Sequence, residues 1–260
     1  MPPLTYGRYL HLDELLALQQ PLSAGPEHDE LLFITIHQVY ELWFKQVLHE
    51  LDRLRRVLEA GQVPEVFASF KRILTILKIL VAQVDILETM TPVSFLSFRT
   101  RLEAASGFES WQFREIEFIL GHRRAAMVTH HADNPAAARL GQRLTEPSLY
   151  TGFLRFLAAR GYPVPGEALD PDPAAPPVED ERVRALLVGI YRQDPQVREV
   201  CERMVDLDEG MQEWRYRHVK MVERTIGTKP GTGGSTGAEY LRTTLSRALF
   251  PDLWAIRAAL

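Results

Sequence analysis

Four side chains in this 260-residue sequence stand out for their chemistry: two histidines on apolar helical stripes, an arginine one turn from a phenylalanine, and a threonine in a glycine-rich loop. His37 shares a stripe with Phe33, Tyr40, Glu41 and Phe44, inside a run from Glu30 to Leu58 whose apolar residues recur every 3.6 positions. A titratable ring on such a face needs a hydrogen-bond partner, a ligand or a cofactor, because burial without one costs about 1–3 kcal/mol. Taken alone, the stripe reads most simply as holding a satisfied core histidine. His218 repeats the pattern among Met204, Leu207, Met211, Trp214, Met221 and Val222, with Arg215 and Arg217 beside it. Those arginines are ordinary helix-face charges or partners for an anionic group.

Phe95 and Arg99 sit four apart after Thr91-Pro92. The guanidinium fork can hold a carboxylate bidentately while the aromatic packs on a flat ring. Pairing of Arg99 with a nearby acid such as Glu103 is the plainer reading of that spacing. Thr228-Lys-Pro-Gly-Thr-Gly-Gly-Ser-Thr-Gly237 has neither the spacing nor the preceding strand of a phosphate-binding loop. Its amides and the Thr232 hydroxyl suit closure over a small zwitterion. The remaining candidates read as structural: Cys201 as a packing residue, and His122, His130 and His131 as surface residues, since adjacent histidines diverge on a helix.

The elements that must position these groups are helical, and the chain reads as an all-α helical bundle. A helix from Glu30 to Leu58 turns at Ala60-Gly61-Gln-Val-Pro64 into an antiparallel partner over about 64–89. Short helices are expected at Leu12–Leu18, after Pro92, over Glu109–Leu120 and over Ser148–Ala159, the last capped by Ser148 and stopped at Gly161. Six of the 17 prolines fall within 163–177, which reads as a non-helical surface loop. A long helix over 196–225 carries His218. With 46% hydrophobic residues and no compositional break, residues 1–260 read as one domain. The net charge of -4 gives no footprint for nucleic acid. The single cysteine, the lack of a leader-like start and the lack of an apolar run long enough for a membrane lead to the expectation of a cytoplasmic protein.

Read together, Phe33-Ile-Thr-Ile-His37-Gln-Val-Tyr-Glu41-Leu-Trp-Phe-Lys, Leu87-Glu-Thr-Met-Thr-Pro, Ser106-Gly-Phe, Trp214-Arg-Tyr-Arg-His218 and the glycine loop resemble the tryptophan 2,3-dioxygenases. The likeness runs from Leu4-Thr-Tyr-Gly-Arg-Tyr9 to Phe250-Pro-Asp-Leu. It implies haem b held by His218 as the proximal axial ligand, in a pocket enclosed by the long antiparallel helices, with Ser106 and Gly107 against the cofactor. It further implies L-tryptophan as substrate, its indole N–H toward His37, Phe33 and Phe95 lining the pocket, its carboxylate on Arg99 and its ammonium at Thr232. Dioxygen would add across the indole C2–C3 bond to give N-formyl-L-kynurenine, the first step of tryptophan catabolism by the kynurenine route. The 1–25 segment resembles one that reaches a neighbouring subunit's active site through Tyr6, Tyr9 and Leu10, in a homotetramer built as a dimer of dimers. Core roles for the two tyrosines are the other reading. Glu109, Trp111 and Pro230 depart from residues common in the family, and the first two are expected near the haem pocket. The competing functions are a related haem-dependent aromatic oxygenase acting on a substituted tryptophan or indole, and a non-catalytic helical scaffold.

Overall fold

Cap residues and apolar periodicity define the helices of the computed structural model, which describes residues 3–25, 27–132, 134–173, 175, 177–232 and 236–260. Two short N-terminal helices, α1 (Tyr6–Leu10) and α2 (Leu12–Leu16), precede the long pair α3 (His28–Glu59) and α4 (Val63–Leu87). The turn between the long helices uses Gly61 at φ +68, a left-handed conformation that favours glycine, and Pro64 lies in the first turn of α4. Next come α5 (Pro92–Phe98), two 3-10 turns (Arg99–Leu102 and Gly107–Glu109) and α6 (Trp111–Ile119). Thr91 caps α5 by accepting from Ser94 N at 3.1 Å, and Ser110 caps α6 by accepting from Phe113 N at 3.2 Å.

Helices α7 (Ala125–His130), α8 (Ala137–Thr145) and α9 (Leu149–Ala159) follow, the last capped by Ser148 as its sequence indicates. The proline-rich stretch is not wholly irregular. Gly166–Leu169 forms a one-turn helix, α10, because Gly-Glu-Ala-Leu holds no proline between Pro165 and Pro171. Val164, Ala168 and Leu169 pack on the core, and Arg155 Nε donates to Leu169 O at 2.9 Å. Helix α11 (Glu181–Gln193) runs into α12 (Pro195–Ile226), each begun by an aspartate cap, Asp180 and Asp194. The chain closes with α13 (Ala238–Arg242) and α14 (Pro251–Ala255). Helices α7, α8 and α11 lie where the sequence motifs gave no element.

Among the described residues there is no strand, so the all-α expectation holds. Helix α4 packs on both α3 and α12. It meets α12 closely at Gly210, where an added Cβ would stand 3.2 Å from Leu77 Cδ1. One apolar cluster runs from Ile36 on α3 to Ile256 near the C-terminus, including Leu51, Leu54, Phe70, Ile73, Phe153 and Met204. Cys201 is fully buried in it, and burial pushes its thiol far up, consistent with a packing role. No described helix is long and apolar enough to cross a membrane.

Asp208 fastens the C-terminal segment to α12. Its buried Oδ2 accepts from Leu249 N at 2.8 Å, Phe250 N at 3.1 Å and Trp254 Nε1 at 2.8 Å. Replacing it with alanine strands two buried backbone donors and frees the Trp254 indole N–H, which water can reach; each buried loss is worth about 1–3 kcal/mol. Asp208→Ala is therefore expected to lower unfolding free energy by at least about 2 kcal/mol, while Glu209→Ala on the exposed face is expected to change it by under about 0.5 kcal/mol. Urea titration followed by far-ultraviolet circular dichroism checks both.

Candidate active site

One cavity of about 230 Å³ gathers almost every residue singled out in the sequence. Helix α3 contributes Phe33, His37, Glu41 and Phe44; the α5 region contributes Phe95 and Arg99; α12 contributes Trp214 and His218; Ser106, Gly107 and Thr232 come from connecting segments. The floor is aromatic. Phe44, Phe113 and Trp214 from three helices meet with centroid separations of 4.8–6.2 Å. Met221 and Val222, expected to be buried, are only partly so, because the C-terminal part of the α12 stripe faces this cavity rather than a neighbouring helix.

His37 has its tautomer fixed by the backbone. Nδ1 lies 2.7 Å from Phe33 O, one turn earlier, so Nδ1 carries the proton and Nε2 keeps its lone pair. The Phe33 ring packs at 4.1 Å between centroids. Burial pushes the His37 pKa below the ordinary histidine value, against the opposing effects of the Phe33 carbonyl and the Glu41 carboxylate. His218 has its pKa lowered to about 4 by burial, then by His37 and Arg114. It has no hydrogen-bond partner among the described residues and lies parallel to Trp214, with centroids 5.2 Å apart and planes at 4°. Both imidazoles are thus neutral at pH 7 and exposed to the same cavity.

The groups suited to a zwitterion are engaged with backbone. Arg99 Nη2 donates to Pro230 O at 2.5 Å, and Thr232 Oγ1 donates to Ala105 O at 2.8 Å. Arg99 makes no ion pair among the described residues, so the pairing with Glu103 is not formed. Gly237 closes the loop at φ +66, where a Cβ would stand 2.8 Å from Lys229 O, so this position requires glycine. Residues Gly233, Gly234 and Ser235, part of the loop singled out in the sequence, lie outside the described residues.

A charged cluster that sequence spacing does not reveal closes another side. Buried Glu117 accepts from Arg114 Nη1 at 2.6 Å and Arg124 Nη2 at 2.7 Å, with Arg215 Nη2 at 3.5 Å. Three guanidiniums thus face one carboxylate, and Arg114 Nε is buried without a partner. Arg114, Glu117 and Arg215 all border the cavity. Of the two arginines flanking His218, Arg215 belongs here, while Arg217 turns outward to Asp85 at 2.5 Å and Glu88 at 3.4 Å.

Several expectations need correction. His122 is not a free surface residue: it contacts Arg215 Nη2 through Nδ1 at 3.0 Å and Ala248 O through Nε2 at 3.3 Å. His131 is only 3% exposed, and its Nε2 has no partner. His130 is exposed, as expected, and pairs with Glu109 at 2.7 Å while packing edge-on to Phe108. Helix α7, not anticipated in that stretch, sets His130 against the 107–109 turn. Glu109 and Trp111 lie near the cavity without lining it, next to Phe108 and Ser110, which do; Trp111 lies beneath the Arg139 guanidinium, 5.9 Å from its ring centroid. Tyr6, Tyr9 and Leu10 are exposed on α1, at 75%, 69% and 40%, which excludes a core role for the tyrosines within this chain. None of the three borders the cavity.

Comparison of the sequence with known proteins gives consistent matches over nearly the whole chain. A family model described as tryptophan 2,3-dioxygenase matches residues 1–152 and 179–260, leaving out the proline-rich stretch. A curated tryptophan 2,3-dioxygenase of Herpetosiphon aurantiacus is 59% identical over 99% of this chain and 98% of its own length. Its counterpart in Anaeromyxobacter dehalogenans is 58% identical over 99% and 96%. That of Kineococcus radiotolerans is 45% identical over 98% and 90%.

The lowered His218 pKa has a measurable sign. On acidification the unfolded chain takes up a proton at about 6.5, while folded His218 stays neutral until about 4. The unfolded state therefore binds more protons in that window, and stability falls as pH drops through it. His37, His122 and His131, also shifted downward by burial, act in the same direction. Melting of cofactor-free protein between neutral pH and pH 4 is expected to show this decline, with a shallower slope in His218→Gln. Equal slopes for the two proteins would contradict the assignment of a buried neutral His218.

Proposed function

The chain belongs to the tryptophan 2,3-dioxygenase family, and on that premise we propose that it opens the indole ring of L-tryptophan with dioxygen, using haem b held by His218. The observation that carries this reading is the pair of neutral imidazoles on one aromatic-walled cavity, one with Nε2 available and the other with no hydrogen-bond partner. A neutral, desolvated imidazole is a suitable axial donor for haem iron. The aromatic wall and the three guanidiniums set against one carboxylate suit an apolar ring system bearing carboxylates. Ser106 and Gly107 contribute to the same wall. When bound, the haem supplies a redox-active iron that activates dioxygen for addition to an aromatic ring.

The chain's own residues bind and orient the substrate. Arg99 exchanges the Pro230 carbonyl for the tryptophan carboxylate, gaining a charge-assisted pair. Thr232 exchanges the Ala105 carbonyl for the substrate's head group, receiving a hydrogen bond from the ammonium. Phe33 and Phe95 pack on the indole. His37 has its Nδ1 proton committed to Phe33 O, so its Nε2 accepts from the indole N–H. The indole nitrogen is a very weak acid, and a neutral imidazole holds that proton in a hydrogen bond rather than removing it. Its contribution is to fix the ring so that C2 and C3 face the reacting oxygen. Both oxygen atoms enter N-formyl-L-kynurenine, so turnover consumes no external reductant.

We further read residues 1–260 as a single catalytic unit of the cytoplasm that assembles as a homotetramer, a dimer of dimers. Exposed Tyr6, Tyr9 and Leu10 then complete the site of a neighbouring copy. Beyond them the chain is tied down locally: Glu30 accepts from Leu22 N at 2.7 Å and Ser23 N at 3.0 Å.

Haem-loaded, reduced protein given L-tryptophan and labelled dioxygen is expected to yield product carrying both labelled atoms. One labelled atom would instead indicate a monooxygenase, and no reaction despite bound haem would indicate another indole substrate. His37→Ala is expected to retain haem with weakened activity, whereas His218→Ala should lose the axial-histidine spectrum; the reverse would exchange the two roles. Arg99→Lys, which loses the bidentate fork, should raise KM for tryptophan by roughly 10- to 100-fold, the scale of a charge-assisted hydrogen bond. Light scattering tests the assembly, since a monomeric active enzyme would exclude Tyr6 and Tyr9 acting across subunits.

A further inference from the structure

The Trp214–His218 pair has a feature that space-filling does not require. A histidine that binds a metal usually gives its second ring N–H to a carboxylate, carbonyl or water, which fixes its rotation and raises its basicity. His218 has no such partner among the described residues. What it has is the Trp214 indole one helical turn earlier, parallel within 4° at 5.2 Å between centroids. The indole is itself clamped: Phe113 packs at 4.8 Å and 41°, Phe44 edge-on at 6.2 Å and 83°, and Tyr40 edge-on at 6.5 Å and 69°.

Trp214 is also a costly way to fill this space. It is 8% exposed, and the contact of its Nε1–H with the Tyr40 hydroxyl falls short of a well-formed hydrogen bond. A phenylalanine or leucine would bury no unpaired donor. The neighbouring Tyr40 hydroxyl donates elsewhere, to Leu80 O at 2.8 Å. The indole does provide a broad, rigid face held by three aromatic neighbours.

We propose that Trp214 is a positioning residue that sets the rotation of the His218 imidazole by parallel, offset stacking, in the role a hydrogen-bond acceptor usually fills. This rests on the reading of His218 as the haem ligand and extends it. A ligand ring held through its face, with no carboxylate on its second nitrogen, keeps the character of a neutral imidazole. Its orientation then depends on an aromatic surface that tolerates exchange for another ring but not for an aliphatic chain.

The test compares the parent protein with Trp214→Phe, Trp214→Leu and Trp214→Met, each loaded with haem. Readouts are the iron–histidine stretching band of the ferrous form, the rate of haem transfer to excess apomyoglobin, and melting of the cofactor-free proteins. The parent is expected to show one narrow band at a neutral-imidazole frequency, and Trp214→Phe to stay close to it in both band and rate. Trp214→Leu and Trp214→Met should broaden or split the band and release haem about tenfold faster or more, the scale of a lost supporting contact, while still melting cooperatively. Methionine fills irregular space without strain and carries the comparison if the leucine variant does not fold. Parent-like bands and rates in the folded aliphatic variants would overturn the proposal. A parent that takes up no haem, or a His218→Gly variant with an unchanged band, would instead overturn the assignment of His218 and the proposal with it.

Discussion

Phe44, Phe113 and Trp214 reach one another from α3, α6 and α12, and the site depends on that contact. Rings of this size keep α3 and α12 apart where smaller side chains would let them close. Aromatic pairs at these separations also gain about 0.5–1.5 kcal/mol beyond the area they bury, so the spacing is held as well as filled. On one side of the contact lies the continuous core, and on the other lies the cavity that His37 and His218 face. The same residues that complete the bundle therefore form the floor of the site. Helix α4, packed on both long partners, fixes the register between the histidines.

Charge is managed differently in the two parts of the cavity. Around the histidines the wall is apolar, and burial keeps both rings neutral, which leaves His37 with an acceptor nitrogen and His218 with an unprotonated nitrogen facing the cavity. At the Glu117 side, positive charge is concentrated in excess of the carboxylate that holds it, and His122 is itself held below its ordinary pKa by burial and then by Arg215. That cluster also connects the site to the C-terminal segment, since Arg215 donates to Thr244 O at 3.4 Å and Asp208, two turns earlier on α12, anchors Leu249 and Phe250. Helix α12 thus carries His218, the Trp214 ring stacked parallel to it, Arg215 of the cationic side and the anchor of the chain end.

Arg99 and Thr232 are held by backbone carbonyls instead of by other side chains. Such contacts pre-order the two groups without neutralising the guanidinium, so a carboxylate can replace a neutral acceptor at a net electrostatic gain. Pro230 supplies one of these carbonyls, and its ring restricts the backbone where the loop meets Arg99. The tight turn at Gly237 fixes the other end of that loop.

The long helices and their caps were legible because they depend on local pattern: apolar spacing over 30–58, 64–89 and 196–225, Ser148 before α9, and Pro92 in the first turn of α5. The alignment of Phe33, His37 and Phe44 on one stripe, and of Trp214 and His218 on another, follows from 3.6 residues per turn and needed no tertiary information. Family motifs added Arg99 and Thr232, whose spacing alone favoured plainer readings. Helices α7 and α8 are short, with Leu140 their one buried side chain, and gain stability from packing more than from periodicity. Helix α11 was legible in principle, since Asp180 caps it and Val183, Leu187, Ile190 and Tyr191 keep helical spacing. The buried Glu117 cluster was invisible for a related reason, since its arginines come from positions 114, 124 and 215 and meet only in three dimensions. The sequence alone determined which side chains stand on which helix face. Tertiary structure alone decided that the His37 face and the His218 face would look into one cavity, because that depends on how aromatic residues from three helices pack.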